Sequence, residues 1–138
     1  MPDPEISLLD AVDAAREDRV LVLGRPSLAL VCASARRGCL AAMGSAVPPA
    51  HPDPAEVVLA PRVADAAEAE GIALAARRAL RGGARQGRLA MRLMGRGAVA
   101  RARAVALRLA ALGFCQVRVR RAGGQVLVIG ACAPAAGR

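Results

Sequence analysis

Two short, continuous apolar runs constrain the fold of this chain more than any other feature. The first, Arg19-Val-Leu-Val-Leu-Gly24, ends at a glycine, and the second, Glu56-Val-Val-Leu-Ala60, ends at Pro61. Strands that are buried on both faces of a parallel sheet have this uninterrupted apolar character, whereas half-buried strands alternate. Segments with helical spacing follow the two runs, over residues 26–37 and 65–81. We therefore expect two strand–helix units whose strands lie side by side and point the same way.

The rest of the chain adds further elements on either side of these two units. In chain order they are a helix over residues 5–17, a short strand over 39–43, a buried strand over 88–94, an amphipathic helix over 98–112 and two β runs over 115–120 and 125–129. The last two runs flank a Gly-Gly pair and predict a hairpin. The sequence thus predicts an α/β fold, with a Rossmann-like, mainly parallel sheet and a C-terminal antiparallel hairpin.

A proline-rich segment, residues 45–55, separates the two strand–helix units. Its four prolines have no N–H donor and fix φ, so the segment is predicted to be a loop or surface strap. His51 lies in this strap and is the only histidine of the chain, in a setting where a solvated ring is typical. The length of 138 residues fits a single domain spanning residues 1–138.

Composition excludes several function classes. The chain has no Lys, which excludes a P-loop lysine and a Schiff-base lysine. A single histidine excludes metal sites built from several imidazoles, and we predict no metal. The four cysteines show no C-x-x-C spacing, so we expect reduced, buried thiols at Cys32, Cys39, Cys115 and Cys132.

The compartment is predicted from the same composition. No apolar run reaches the roughly 18 residues of a membrane span. The first residues, Met-Pro-Asp-Pro-Glu, are acidic where a signal peptide would be basic. We therefore expect a cytoplasmic protein that does not contact a membrane.

The charges are strongly divided along the chain. All 11 acids lie in residues 1–70 beside 6 arginines, whereas residues 71–138 hold 14 arginines and no acid. Such an asymmetry indicates an anionic partner, although an arginine-rich composition alone also produces it. A nucleic acid would be bound through phosphate, with little specificity, because Phe114 is the only aromatic side chain for stacking. The predicted phosphate contacts are Arg101, Arg108, Arg118 and Arg120.

Three segments, taken in order, form a more specific pattern. They are Asp18–Gly24 with a helix that ends at Ala35-Arg-Arg-Gly38, then Glu56–Val63 running through to Gly83, and Leu107–Phe114 with the closing hairpin. From residue 18 onward this order resembles the class I S-adenosylmethionine-dependent methyltransferases, whose doubly wound sheet ends in an antiparallel hairpin after a helix. The segments resemble the family's first strand and helix, its fourth strand and helix, and its last third. The resemblance implies transferase activity and S-adenosylmethionine as cofactor.

The resemblance also implies a cofactor site at the carboxyl ends of the strands. The residues that it assigns to this site are Gly24, Arg25, Ser27, Gly44, Ala60, Pro61 and Arg62. The family's glycine-rich turn is here Gly24-Arg-Pro-Ser27, and the carboxylate that follows the family's second strand has no counterpart in Cys39–Ser45. The interval from Gly38 to Glu56 is too short for the second strand, its helix and the third strand. One unit of the family's fold is therefore predicted to be missing.

Two functions remain open at this point. One is a methyltransferase-like protein, either active or a pseudoenzyme, for which the sequence suggests no catalytic residue. The other is a non-catalytic interaction or assembly subunit with a basic C-terminal half. Its partner would be another protein, a nucleic acid, or a second copy whose basic half meets the acidic half of the first.

Overall fold

The elements follow one another in the predicted order. A computed structural model of the chain describes residues 4–122 and 125–133. Within these residues the helices and strands are α1 Pro4–Ala11, β1 Arg19–Leu23, α2 Leu28–Arg37, β2 Ala41–Ser45, β3 Val57–Val63, α3 Ala66–Arg81, β4 Gly87–Leu93, α4 Ala98–Ala111, β5 Cys115–Ala122 and β6 Gln125–Cys132. The predicted Gly-Gly turn between β5 and β6 lies outside the described residues.

The six strands form one sheet in the order β2-β1-β3-β4-β6-β5. β1 runs parallel to both β2 and β3, and β3 runs parallel to β4. Val20 pairs with Val57 and Val22 with Leu59, so the two apolar runs lie side by side and point the same way, as predicted. β6 is antiparallel to both β4 and β5, which confirms the mainly parallel sheet with an antiparallel C-terminal pair.

Helices cover both faces of the sheet and enclose two apolar cores. α1 and α2 pack on one face, over Val20, Val22 and Leu59. α3 and α4 pack on the other, over Leu21, Leu23 and the alternate residues of the neighbouring strands. The buried side of α3 is mostly alanine, so this helix can approach the strands closely. Because these small side chains pack tightly, the alanine-rich sequence fills the core with few large residues.

The linking segments depart from the prediction at two places. The first helix ends at Ala11 and not near residue 17, because Asp13 has a φ of 51° and the Asp18 carboxylate accepts the Ala15 N–H at 2.8 Å. β3 does not end at Pro61 but continues to Val63. A register shift between Ala60 and Val63 lets the strand accommodate the proline, which has no N–H to donate.

The proline-rich strap contains no helix or strand between residues 46 and 56, as predicted. It runs against the end of α3, where Arg78 Nη1 donates to the Ala50 carbonyl oxygen at 3.2 Å. Pro54 packs so closely on Gly82 that a Cβ added there would lie 3.2 Å from the proline ring. The side chain of His51 is exposed. In this fold the strap leads from β2 back to β3, where the family that the sequence resembles has a further strand–helix unit.

Candidate functional site

The carboxyl ends of β1, β2, β3 and β4 meet at one edge of the sheet, where ligands bind in open α/β folds. A cleft of about 330 Å³ opens at this edge. That volume lies at the lower end of the usual range for small-molecule sites. The cleft is lined by Gly24, Arg25, Ala46, Pro48, Arg62, Ala64, Glu68 and Ile72.

Gly24 forms the floor of the cleft where β1 ends. Its φ of +100° is a conformation that side chains rarely adopt, and a Cβ added there would meet only the Arg62 carbonyl oxygen, at 4.0 Å. The Gly24 N–H donates to the Ser45 carbonyl oxygen at 2.8 Å and so joins the ends of β1 and β2. A ligand can therefore approach the backbone closely at this position.

The charged side chains of the cleft are two arginines and one glutamate. Arg25 follows β1, Arg62 lies near the end of β3, and both side chains are exposed. Glu68 belongs to the start of α3, where its Oε1 accepts the Ala64 N–H at 2.9 Å. The Asp65 carboxylate accepts the Glu68 N–H at 2.8 Å in the same turn. Both carboxylates therefore accept hydrogen bonds at the start of α3, and Arg25 and Arg62 are the exposed cations of the cleft.

The other four residues that the resemblance assigns to a cofactor site do not line this cleft. Ser27 Oγ occupies the space that a side chain at Gly44 would need, 2.8 Å from the ideal Cβ position. These two residues therefore pack against each other. Ala60 and Pro61 are buried, and the Pro61 carbonyl oxygen accepts Nε of Arg92 at 2.8 Å.

The strap and the first turns of α3 also form walls of the cleft, and neither wall was predicted from the sequence. Ala46 and Pro48 come from the strap, and Ile72 from the second turn of α3. The spacing of Asp65 and Glu68 is a capping-box pattern, which could have located the start of the helix at the cleft. No pattern in the sequence indicates the position of the strap, because nothing local fixes the path of a proline-rich loop.

A second cleft, of about 400 Å³, opens farther along the same edge. It lies between the turn that follows β4 and the start of β6, and it is lined in part by Gly95, Gly97, Arg121 and Gln125. Arg101 crosses behind this turn and donates to the carbonyl oxygens of Met94 and Arg96, both at 2.6 Å. Its guanidinium is therefore used to hold the turn.

The four arginines predicted to contact phosphate do not share one surface. Arg118 and Arg120 pair with Ile129 and Leu127, whose side chains face α1 and α2, so these two arginines project on that face of the sheet. Arg101 and Arg108 belong to α4, which packs on the opposite face. Arg108 also forms an ion pair with Glu70 at 3.1 Å.

Comparison with known proteins identifies the fold. No protein-family profile and no curated protein matches the chain. Among solved structures, the ribosomal protein L11 methylase of Lactobacillus delbrueckii subsp. bulgaricus matches with a TM-score of 0.70 and 10% identity, over 95% of this chain and 77% of that one. A SAM-dependent methyltransferase of Aquifex aeolicus matches with a TM-score of 0.64 and 14% identity, over 95% and 90%. This chain has the class I methyltransferase fold.

A third similar structure is the release-factor-specific protein-(glutamine-N5) methyltransferase of Alicyclobacillus acidocaldarius subsp. acidocaldarius. It has a TM-score of 0.63 and 15% identity, over 97% of this chain and 95% of that one. Another matched structure was solved with SAH. At identities of 10–15% the similarity shows that the fold is shared, and it does not show which ligand this chain binds.

The described residues of this methyltransferase fold match S-adenosylmethionine only in part. The open backbone at Gly24 suits the close approach that the cofactor needs. The two ribose hydroxyls, however, need a carboxylate after the second strand, and β2 ends in Ser45, whose Oγ donates to the Val47 carbonyl oxygen at 2.6 Å. Asp53, the acid of the strap, lines a different cleft together with Arg19 and Ala41, which begin their strands. The ribose-binding part of the site therefore does not fit.

The cysteines are free thiols, but they are not all buried. Cys132 is buried, Cys32 and Cys39 are half-buried, and Cys115 is exposed, which corrects the expectation for that residue. Burial raises the pKa of the Cys39 and Cys132 thiols. No group of His, Cys, Asp and Glu among the described residues could hold a metal ion. The helices described here are too short or too polar to cross a membrane.

Proposed function

We propose that this protein is a methyltransferase-fold pseudoenzyme that acts as an interaction or assembly subunit and does not transfer methyl groups. The observation that carries the proposal is the charge arrangement of the cleft at Gly24. Two exposed arginines line this cleft, no carboxylate follows β2, and Glu68, the one carboxylate of the lining, accepts the Ala64 N–H at the start of α3. A cofactor with a cationic sulfonium and two ribose hydroxyls lacks its acceptor in this arrangement.

The size of this effect supports the proposal. Hydrogen bonds to a charged group contribute about 1.5–3 kcal/mol each. Loss of a carboxylate that accepts two of them would weaken binding of S-adenosylmethionine by roughly 100-fold or more. The Pro-rich strap supports the same conclusion, because it replaces the unit that carries adenine-side contacts in the family that the sequence resembles.

Methyl transfer is the second candidate function, and Gly24 is the observation that favours it. The open backbone at this glycine is the part of the cleft that suits S-adenosylmethionine. Methyl transfer can proceed largely through proximity and orientation, so it does not require a general base. In this case the cofactor would be S-adenosylmethionine, held at Gly24, Arg25 and Arg62.

Isothermal titration with S-adenosylhomocysteine separates the two functions. We expect the wild-type protein to bind with a dissociation constant of about 0.1 mM or weaker, because the missing acceptor weakens a micromolar affinity by roughly 100-fold or more. The variant Ala46→Asp places a carboxylate in the cleft just after β2, and we expect it to bind at least about 100-fold more tightly. Ala100→Asp makes the same charge change on the exposed side of α4 and should behave as wild type. Wild-type binding at micromolar ligand would overturn the pseudoenzyme proposal.

A further inference from the structure

The sheet has two edge strands, β2 and β5, and they are protected very differently. Exposed edges are templates for pairing with another chain, and proteins block them with charges, prolines, bulges or short strands. β5 carries the exposed arginines 118, 120 and 121 and has an irregularity between Cys115 and Arg118. β2, Ala41-Ala-Met-Gly-Ser45, has no charge and no proline, and its register with β1 is regular over all 5 residues.

The outer side of β2 presents backbone groups that need partners. At the end of β2, the Ser45 carbonyl oxygen points toward β1 and accepts the Gly24 N–H at 2.8 Å. Because backbone groups alternate in direction along a strand, Met43 and Ala41 also face β1. The N–H and C=O of Ala42 and Gly44 therefore point away from β1. Within residues 4–122 and 125–133 no strand lies beyond β2. These groups are therefore available to another chain.

Apolar side chains lie along the same edge. Met43 is 55% exposed, and Leu40 and Val47, which flank the strand, are 69% and 71% exposed. A cleft of about 330 Å³ beside β2 is lined mainly by apolar groups, among them Leu21, Met43 and Pro54. Burial of this apolar surface on pairing removes it from water and stabilises the contact.

We propose that β2 pairs with β2 of a second copy of this chain, antiparallel and across a two-fold axis. With Ala42 of each copy opposite Gly44 of the other, four N–H···O bonds form, the two Met43 residues meet at the axis, and both sheets join into one. A second copy suits this edge because β2 is uncharged, so the same surface on both sides brings no like charges together. Pairing β2 with β5 would instead be head-to-tail and would build a ring or a filament in place of a two-fold dimer. The inference deepens the proposed role as an assembly subunit and rests on it.

Light scattering coupled to size-exclusion chromatography tests the pairing through the mass in solution. We expect wild type to have the mass of two chains. Met43→Lys places two like charges close together across the two-fold axis and should reduce the mass to that of one chain. Leu107→Lys makes the same kind of change at a 74% exposed leucine of α4 and should remain a dimer. Circular dichroism should show that all three proteins are folded.

Salt distinguishes this interface from association between the acidic and basic halves of two chains. Strand pairing rests on hydrogen bonds and apolar contact, so the dimer should persist in about 1 M sodium chloride, where the Debye length is only about 3 Å. A wild-type monomer, a dimer that salt dissociates, or a Met43→Lys dimer would overturn the inference. The proposed function fails by a different observation, binding of S-adenosylhomocysteine to wild type at micromolar ligand, which leaves the measured mass unchanged.

Discussion

Glu56, at the amino end of β3, is the buried carboxylate with the largest set of contacts in the described residues. Its Oε1 accepts the Arg19 N–H at 2.8 Å and Arg19 Nε at 3.2 Å, and its Oε2 accepts Arg19 Nη2 at 2.6 Å and the Ala84 N–H at 2.9 Å. The hydrogen bonds from the Arg19 side chain lower the pKa of Glu56 from 4.5 to about 2, although burial opposes the shift. The carboxylate thus ties β1, β3 and the loop before β4 together.

Glu56→Gln keeps the shape of this side chain and removes its charge. The shift in pKa corresponds to about 3 kcal/mol in the free energy of unfolding, and we expect a loss of this order at about pH 7 in urea titrations. Because the pKa of Glu56 is lower in the folded protein than in the unfolded chain, its contribution is complete above pH 4.5 and is lost as the pH falls toward about 2. Stability of the variant should therefore depend less on pH in this range than stability of wild type.

Asp10→Asn is the matched control for Glu56→Gln. The Asp10 carboxylate pairs with Arg37 Nη1 at 2.7 Å, but its side chain is 61% exposed. Exposed pairs contribute about 1 kcal/mol or less, so this variant should lose little stability. A loss for Glu56→Gln as small as that of Asp10→Asn would show that the contacts of Glu56 do not stabilise the fold.

At the scale of elements, the order and type of the helices and strands could be predicted because the signals are local. The apolar runs at β1 and β3 indicate strands buried on both faces, and Gly38 ends α2 in the left-handed conformation that the sequence suggests. The ends of α1 and β3 could not be predicted in this way. The end of α1 depends on the Asp18 carboxylate, which the distant Arg85 and Arg88 hold in place. The end of β3 depends on a register shift at Pro61 against β4.

The candidate site could be predicted only where it lies on the regular elements. The positions of Gly24 and Arg62 in the site could be predicted because they lie at the ends of β1 and β3, and parallel strands bring their carboxyl ends to one edge. The packing of Ser27 against Gly44 could not be predicted, because it depends on how α2 lies across β2. Strap residues such as Pro48 were missed for a similar reason, since their position is set by contacts with α3 and not by local spacing.

Gly87 and Gly71 differ in how much space surrounds them, and substitutions at the two positions test how closely α3 packs on the sheet. A Cβ added at Gly87, at the start of β4, would lie 2.6 Å from Leu80 Cβ, whereas one added at Gly71, within α3, meets nothing within 4 Å. We expect Gly87→Ala to lower the free energy of unfolding by about 1–3 kcal/mol. Gly71→Ala should raise it by about 0.5–1 kcal/mol, because alanine favours the helix. Equal effects of the two substitutions in urea titrations would contradict this account of the packing.

At the scale of the whole molecule, folding brings part of the acidic half onto the basic half. Asp18, whose side chain is fully buried, pairs with Arg85 and with Arg88, the latter at 2.7 Å. Glu70 pairs with Arg108 at 3.1 Å on the surface. The division of charge along the chain is therefore partly neutralised within one molecule. The hairpin keeps its positive charge exposed, since Arg118 and Arg120 form no ion pair in the described residues.

The position of these arginines, more than the net charge of +9, should govern binding to a polyanion. Arg118 and Arg120 project on the same face of β5, so their charges act together on a neighbouring phosphate or sulfate chain. On a heparin column, the double variant Arg118→Gln, Arg120→Gln should therefore elute at clearly lower sodium chloride than wild type. Arg101→Gln, Arg108→Gln removes the same charge, but Arg101 donates to two carbonyl oxygens and Arg108 pairs with Glu70, so its elution should change less. Equal shifts for the two variants would mean that net charge alone controls the interaction, and would remove the hairpin as a site for nucleic acid.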